Sequence, residues 1–402
     1  MSSSAVPLPL RERDDERSHH AASLPVAHAE AERMHWLLIS VVFAATSVIV
    51  GLIWDISWHM TIGRDTFWTP AHLAIYTGGA VAGLASGAEV LRRSFVLRER
   101  PSDGVTIWGR FNGPLGGWLA IWGAVAMLTS APFDDWWHNA YGLDVQIISP
   151  PHSVLALGFI AILSGAVVMA TSVQSRASSH RASRTPWVVA YASGLVLSMI
   201  AIFCTEYHDR TLMHSGIFYI VASLAFPFGL VAAGRSTRLR YPATASALVY
   251  TAVMCLQVWI LPLFAATPKL GPIRQVVTHM VPLNFPLLLL VPAFLIDVVL
   301  HRTDSRGAWT RALLLGLTFL VSFAAVQWPF ADFLMSDASR TALFRTDNFA
   351  YMMPSDWLLV KGEFAAEPPS TTLAGFALAA LLAVLSARAG LARGDWLRSV
   401  RR

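Results

Sequence analysis

The stretch "WLLISVVFAATSVIVGLIWDISWH" (residues 36–59) decides the fold. Residues 36–54 carry no charge, and these 19 residues are close to the length that an α-helix needs to cross a bilayer core. The stretch ends with Asp55 and His59, which are four residues apart and therefore share one face of a helix that continues to that point. It predicts a transmembrane helix that presents a carboxylate and an imidazole at one membrane surface.

The rest of the chain repeats this apolar character. Of its 402 residues, 55% are hydrophobic and 14% are charged, whereas about a quarter of a typical soluble domain is charged. The sequence therefore predicts an all-α polytopic membrane protein in contact with the lipid bilayer. Ten transmembrane helices are expected, at about 36–55, 70–91, 112–131, 152–172, 187–205, 213–233, 243–264, 279–300, 310–328 and 371–389.

Arginine is concentrated in alternate loops, including the loops that follow the second, fourth, sixth and eighth predicted helices. By the positive-inside rule, both termini are predicted to be cytoplasmic, and residues 55–72 to face the periplasm of a bacterial inner membrane. The net charge of +5 thus reports topology and does not indicate nucleic-acid binding. The only two cysteines, Cys204 and Cys255, exclude a disulfide framework and a cysteine-based metal site.

These boundaries divide the chain into four regions. We expect a disordered cytoplasmic arm at 1–35 and a membrane domain at 36–328. An external cap loop is expected at 329–370, and the last helix with a basic cytoplasmic tail at 371–402.

The polar stretch at the end of the first helix occurs twice. "DISWHMTIGRDTFWTPAH" (55–72) aligns with "DDWWHNAYGLDVQIISPPH" (134–152), with one extra residue before the final Pro-x-His. The aligned pairs are Asp55 with Asp134, His59 with His138, Gly63 with Gly142, Asp65 with Asp144 and His72 with His152. This predicts a duplicated two-helix hairpin, at about 36–91 and 112–172.

Histidine is also concentrated on the predicted external face, which holds seven of the 13 histidines. We therefore predict metal ligands among Asp55, His59, His72, Asp134, His138, His152, His208, His214 and His279. Four further acidic residues would orient these histidines or relay protons: Asp65, Asp144, Glu206 and Asp209. Imidazole and carboxylate together suit copper, iron, zinc or manganese.

Simpler explanations exist for each feature taken alone. Trp54, Trp58 and Trp68 are typical of an aromatic belt at the membrane interface. A single interfacial histidine is more often a hydrogen-bonded polar residue than a ligand, and an Asp-x3-His pair also forms intrahelical ion pairs. It is the duplication that favours a metal site over these explanations.

The spacing Asp-x3-His-x12-His of Asp55, His59 and His72 is similar to the copper-ligand motif of the C subunit of particulate methane and ammonia monooxygenases. The resemblance is confined to residues 55–72 and, through the repeat, residues 134–152. It implies copper as the metal, these residues as its ligands, and a monooxygenase subunit as the type of protein.

Several functions fit these patterns. The first is a copper-dependent oxygenase subunit that acts on a small apolar substrate, or a metal-handling protein that uses the same ligands. The second is a haem-binding electron-transfer protein in which His72 and His152 are axial ligands. The third is a proton- or metal-coupled transporter, and the fourth a structural subunit. Further membrane subunits or a second copy of the chain are the expected protein partners.

Overall fold

A computed structural model of the protein describes residues 10–63, 66–97, 104–141, 149–176, 184–269, 277–346, 364 and 367–400, with the backbone alone at 10–29 and at 31. These ranges form ten α-helices: α1 Leu10–Thr61, α2 Pro70–Leu91, α3 Leu115–Tyr141, α4 Pro150–Arg176, α5 Thr185–Phe203, α6 Gly216–Ser236, α7 Pro242–Ile260, α8 Leu290–Arg302, α9 Ala308–Met335 and α10 Pro369–Ser399. A two-stranded antiparallel hairpin, β1 Val105–Ile107 and β2 Phe111–Gly113, precedes α3.

Nine of these helices, all except α8, are long and apolar enough to cross a membrane. They account for nine of the ten predicted spans, and the chain is an integral membrane helical bundle. Within it, α1 packs on α2, α3 on α4 and α6 on α10, while α2–α3 and α1–α4 contacts join the first two pairs.

The eighth predicted span is wrong as a continuous helix. Helix α8 has 13 residues, and residues 277–289 before it are not helical. Thirteen helical residues extend only about 20 Å, which is less than the hydrocarbon thickness of a bilayer. Pro282 and Pro286 explain the break, because each lacks an N–H and clashes with the preceding helical turn. We call residues 277–289 the extended segment.

Side chains of other helices satisfy the backbone of the extended segment. The amide of Gln257 accepts from the Leu283 N–H (2.9 Å) and donates to the Leu283 carbonyl (3.1 Å). Val281 is bonded in the same way, since Thr61 Oγ1 accepts from its N–H (2.8 Å) and Ser57 Oγ donates to its carbonyl (2.6 Å). Two further N–H groups are bonded by α7 and α9 (Leu287 to the Tyr250 hydroxyl, 3.0 Å; Leu288 to Gln327 Oε1, 3.0 Å). Such partners are needed where no water reaches the backbone.

Hydrogen bonds also join the loops at one end of the bundle. Lys269 N–H donates to the Ile62 carbonyl (3.0 Å), and Asn284 Nδ2 donates to Asp209 Oδ2 (3.3 Å). We call this end, which carries the α1–α2, α3–α4, α5–α6 and α9–α10 loops, the motif face. The opposite end, with the C-termini of α4, α6, α8 and α10, is the arginine face.

Several helices extend beyond their predicted bounds, and α10 continues ten residues past its predicted end, to Ser399. Helix α1 begins at Leu10, so helical backbone includes most of the arm for which the sequence predicted disorder; this stretch is rich in Ala, Glu and Arg, which favour helix. Helix α3 continues through Pro132 to Tyr141, and α9 through Pro329 to Met335. The predicted cap loop (329–370) therefore begins later than expected, since residues 329–335 belong to α9. In the stretch 336–346 that follows, the Leu343 carbonyl accepts a hydrogen bond from Trp259 Nε1 (3.0 Å).

Candidate metal centre

Three predicted ligands converge where α3 meets α4. Asp134, His138 and His152 each offer a ligand atom, and these atoms lie within 4.8 Å of one another. Asp134 Oδ2 is 3.5 Å from His138 Nε2, and Asp134 Oδ1 is 3.2 Å from His152 Nε2. We call these residues the second triad. Within the described ranges, no other group of three or more such side chains is as close.

The local sequence explains how the second triad forms. Because α3 stays helical past Pro132, Asp134 and His138 lie one turn apart on the same face. His152 comes from the first turn of α4, where its N–H donates to Ser149 Oγ (3.3 Å). Ser130 Oγ donates to the Pro151 carbonyl (2.8 Å) and thus fixes the start of α4 against α3.

The carboxylate of Asp134 has an unusual environment. Its Oδ1 atom is buried and has no hydrogen-bond donor among the described residues, although His152 Nε2 is 3.2 Å away. The three side chains are about a quarter to a third exposed (24% for Asp134, 25% for His138 and 32% for His152), so the group is open to small molecules.

Asp55, His59 and His72 form a similar but wider group at the α1–α2 junction, which we call the first triad. His72 Nε2 is 3.2 Å from Asp55 Oδ1, but His59 Nε2 is 3.9 Å from Asp55 Oδ2 and His59 is 48% exposed. As in the second triad, the Oδ1 atom of the aspartate is buried without a hydrogen-bond donor. The His72 N–H donates to Thr69 Oγ1 (3.4 Å), in the same position as Ser149.

Glycines bring the helices of each hairpin into contact below the triads. A Cβ atom added to Gly78 would lie 2.8 Å from the Ala44 carbonyl oxygen of α1. One added to Gly158 would lie 2.9 Å from the Gly123 carbonyl oxygen of α3. Only glycine permits this approach, which brings the start of the second helix close to the end of the first.

His214 and His279 make other contacts. The His214 ring stacks between Trp328 and Phe364, with centroid distances of 4.4 and 4.5 Å, and its Nε2 is 3.1 Å from the Trp328 carbonyl oxygen. His279 is exposed and its Nδ1 is 2.9 Å from Thr278 Oγ1. Among the described residues, neither belongs to a group of three close ligand atoms.

His208 lies buried against Phe218 and Phe226 of α6, with ring centroids 5.5 Å away. Neither ring nitrogen has a hydrogen-bond partner among the described residues. Burial lowers the pKa of His208 from 6.5 to about 3, so the ring is neutral near pH 7.

The four acidic residues predicted to support the histidines have different positions. Asp209 caps the short turn that follows it, accepting from the N–H (2.9 Å) and Oγ1 (2.8 Å) of Thr211. Glu206 is exposed. Asp65 and Asp144 lie outside the described residues.

No protein-family model, curated protein or solved structure matches the chain. The geometry of the two triads is therefore the basis on which a function can be inferred.

Proposed function

We propose that the protein is a membrane metal-binding protein and that the second triad, Asp134, His138 and His152, holds one transition-metal ion. The convergence of the three ligand atoms within 4.8 Å carries this proposal. Ligands about 2.0–2.2 Å from a tetrahedral metal lie about 3.4 Å from each other. The Nε2 atoms of His138 and His152 lie 3.5 Å and 3.2 Å from different carboxylate oxygens of Asp134, so each nitrogen is at about that distance from one oxygen. An ion held by Oδ1 would also give this buried atom a partner.

Copper is the proposed metal. Two imidazoles and one carboxylate suit copper, iron and zinc, and copper(II) binds most such sites more tightly than the other divalent first-row metals. The resemblance of Asp55, His59 and His72 to the copper-ligand motif of membrane monooxygenases favours the same choice. Iron is the main competitor, because two histidines and one carboxylate are also the ligands of many non-haem iron oxygenases.

The proposed activity is that of a monooxygenase-type subunit for a small apolar substrate, or of a protein that hands on the metal. Three protein ligands leave coordination positions open, as in catalytic metal sites. When bound, copper would supply the redox chemistry, while the three side chains of the second triad hold it at the membrane surface. An apolar substrate could reach this position from the bilayer, because α3 and α4 are lipid-spanning helices.

We further propose that the first triad is a second copy of this site, produced by duplication of the hairpin. Its support is the paired set of contacts: a carboxylate 3.2 Å from the histidine that begins the next helix, and a capping hydroxyl at Thr69 or Ser149. No close group of three within the described residues combines ligands of both triads, which favours two mononuclear sites.

Metal analysis of the purified protein tests the proposal. Protein loaded with copper, washed by gel filtration and analysed by mass spectrometry should retain copper, and His138→Ala or His152→Ala should abolish retention at the second triad. His301→Ala is the matched control, because this exposed histidine lies on the arginine face and its Nε2 contacts the Arg240 carbonyl oxygen. Equal retention by all variants would remove the proposal.

Transport is a second candidate, and the extended segment is the observation that favours it. Irregular backbone next to a half-length helix at membrane depth is characteristic of secondary transporters. Vesicles that contain the reconstituted protein should then accumulate copper or zinc when a proton gradient is imposed, and Asp134→Asn should stop this uptake. Retention of copper without any uptake would leave the binding function and exclude transport.

Haem binding receives less support. His72 and His152 are each 3.2 Å from the aspartate of their own triad. Axial haem ligation would require both carboxylates to lose that contact. A Soret band in the visible spectrum of the purified protein would reverse this conclusion.

A further inference from the structure

A cavity of about 500 Å³ opens on the arginine face, away from both triads. It lies where the C-termini of α4, α6, α8 and α10 meet the start of α7. Its lining is mainly polar and includes Thr171, Gln174, Arg235, Arg238, Asp304 and Arg398. The proposed metal function does not use this cavity.

The carboxylates around the cavity are already bonded. Asp297 accepts from the N–H groups of Ala243 (3.0 Å) and Thr244 (2.9 Å) and from Thr244 Oγ1 (2.7 Å). Arg235 bonds Asp395 through Nε (2.9 Å) and Asp304 through Nη1 (3.2 Å). These acidic groups therefore serve the fold, and none is left to neutralise a further cation.

The guanidinium groups exceed those carboxylates. Arg311 also contacts Asp304 (3.5 Å), and Arg235 contacts both Asp304 and Asp395. The charges of these two aspartates are therefore balanced by Arg235 and Arg311. Arg398 lies close enough to Arg311 to repel it electrostatically. Within the described part of the chain, Arg238 and Arg398 form no ion pair, and both are exposed at the cavity rim. The cavity therefore carries an excess of positive charge.

The backbone around Arg238 is held in place. Gln174 Nε2 donates to the Ser236 carbonyl (3.0 Å), and its Oε1 accepts from the Arg238 N–H (3.2 Å). Thr237 Oγ1 donates to the Pro186 carbonyl of α5 (3.1 Å). Because α4 and α5 fix the backbone of this loop, that backbone needs little rearrangement when Arg238 contacts a ligand.

We propose that this cavity binds an anionic phosphate group, with Arg238 and Arg398 as its principal cationic contacts. Arginine guanidinium groups match phosphate oxygens in geometry and in charge. Basic pockets between transmembrane helices on the cytoplasmic side are suited to lipid head groups. The same phosphate chemistry is offered by an anionic phospholipid and by soluble phosphate, and the test distinguishes these sources.

The test measures binding of phosphatidylglycerol to the purified full-length protein by native mass spectrometry. We expect Arg238→Gln/Arg398→Gln to weaken binding by about 30-fold, the loss expected for two basic residues near an anionic head group. The control is Arg302→Gln/Arg306→Gln, which removes two exposed charges from the same face outside the cavity lining and should leave affinity unchanged. The elution volume and thermal unfolding of each variant report folding.

The other outcomes are equally defined. Displacement of the lipid by millimolar inorganic phosphate, with the same dependence on Arg238 and Arg398, identifies soluble phosphate as the source and supports the site. If inorganic phosphate does not displace the lipid, the ligand of the cavity is the phospholipid head group. Equal affinity in wild type and the Arg238→Gln/Arg398→Gln variant overturns the proposal, and so does equal binding of zwitterionic phosphatidylcholine.

Discussion

The two aspartates occupy corresponding positions, but their histidine partners differ in distance. His138 Nε2 is 3.5 Å from its aspartate, whereas His59 Nε2 is 3.9 Å away and more exposed. Sequence spacing predicted which residues meet, because helical periodicity fixes the i, i+4 pair and the Pro-x-His start fixes the third ligand. It could not predict the difference between the two groups, since this depends on side-chain rotamers and on packing at each junction.

From this difference we predict unequal metal affinities. Asp134→Asn should weaken the tighter copper site on the order of 100-fold or more, because changes to supporting groups alone cost 10–100-fold. The first triad should be the weaker site, since its three ligands must move to bind one ion. Asp55→Asn should therefore change the copper affinity of that weaker site alone. Competition with a chelator of known affinity measures both. A larger loss of the tight site in Asp55→Asn than in Asp134→Asn would contradict the prediction.

His208 gives a residue-scale prediction about pH. Its folded pKa of about 3 lies below the ordinary value of 6.5, so the unfolded chain binds a proton first as the pH falls. The contribution of His208 to the free energy of unfolding is complete above pH 6.5 and is lost progressively towards pH 3. At pH 5 the loss amounts to about 2 kcal/mol. His208→Phe should abolish this component of the acid sensitivity, as measured by unfolding at pH 7.5 and pH 5. Equal acid sensitivity in the two proteins would contradict it, and the copper content of the variant tests the predicted ligand role separately.

At the scale of elements, the extended segment shows where sequence reasoning failed. Residues 279–300 are apolar enough for a span, and hydropathy does not register a broken helix. The signals lay in the two prolines of the segment, Pro282 and Pro286, and in polar residues within neighbouring apolar helices, namely Gln257 and Gln327. Long, uniformly apolar helices without such prolines were predicted correctly, because length and hydropathy suffice for them.

Gln257 is the most informative residue for testing the extended segment. Gln257→Leu removes both bonds to Leu283 and leaves a buried N–H and carbonyl without partners. The expected loss of stability is about 3 kcal/mol, measured by unfolding in mixed micelles. Thr251→Val on the same helix should cost much less, because that hydroxyl bonds only the Ala247 carbonyl of its own helix. Similar losses in the two variants would show that the Gln257 contact has no special weight.

Helix contact at the second hairpin can be tested through its glycines. Gly158→Ala places a Cβ 2.8 Å from Met127 Cγ and 2.9 Å from the Gly123 carbonyl oxygen, so α4 must move away from α3. We expect about 2 kcal/mol of destabilisation and weaker copper binding, since His152 moves with α4. Gly87→Ala in α2 meets nothing within 4 Å and should be neutral or slightly stabilising. Full copper affinity in a destabilised Gly158→Ala protein would separate packing from the metal site.

At the scale of the whole molecule, charge and polarity are divided between the two ends. The triads and His208, His214 and His279 belong to the motif face, while the cavity with Arg235, Arg238 and Arg398 belongs to the arginine face. The arginines were visible in the sequence as a topology signal. Their convergence on one cavity was not, because it depends on how the ends of four helices far apart in the chain pack together.

This division predicts the orientation of the protein in the membrane. In the part of the chain that the structure describes, nine continuous helices plus the combined crossing of the extended segment and α8 make ten crossings, so we expect both termini on one side. The positive-inside rule assigns the arginine face to the cytoplasm.

In a variant without Cys204 and Cys255, a membrane-impermeant maleimide should label Trp68→Cys in intact cells, because Trp68 is 69% exposed on the motif face. Arg306→Cys should react only after the membrane is permeabilised. The reverse pattern would invert the topology and place the metal ligands in the cytoplasm, where a periplasmic copper function could not operate.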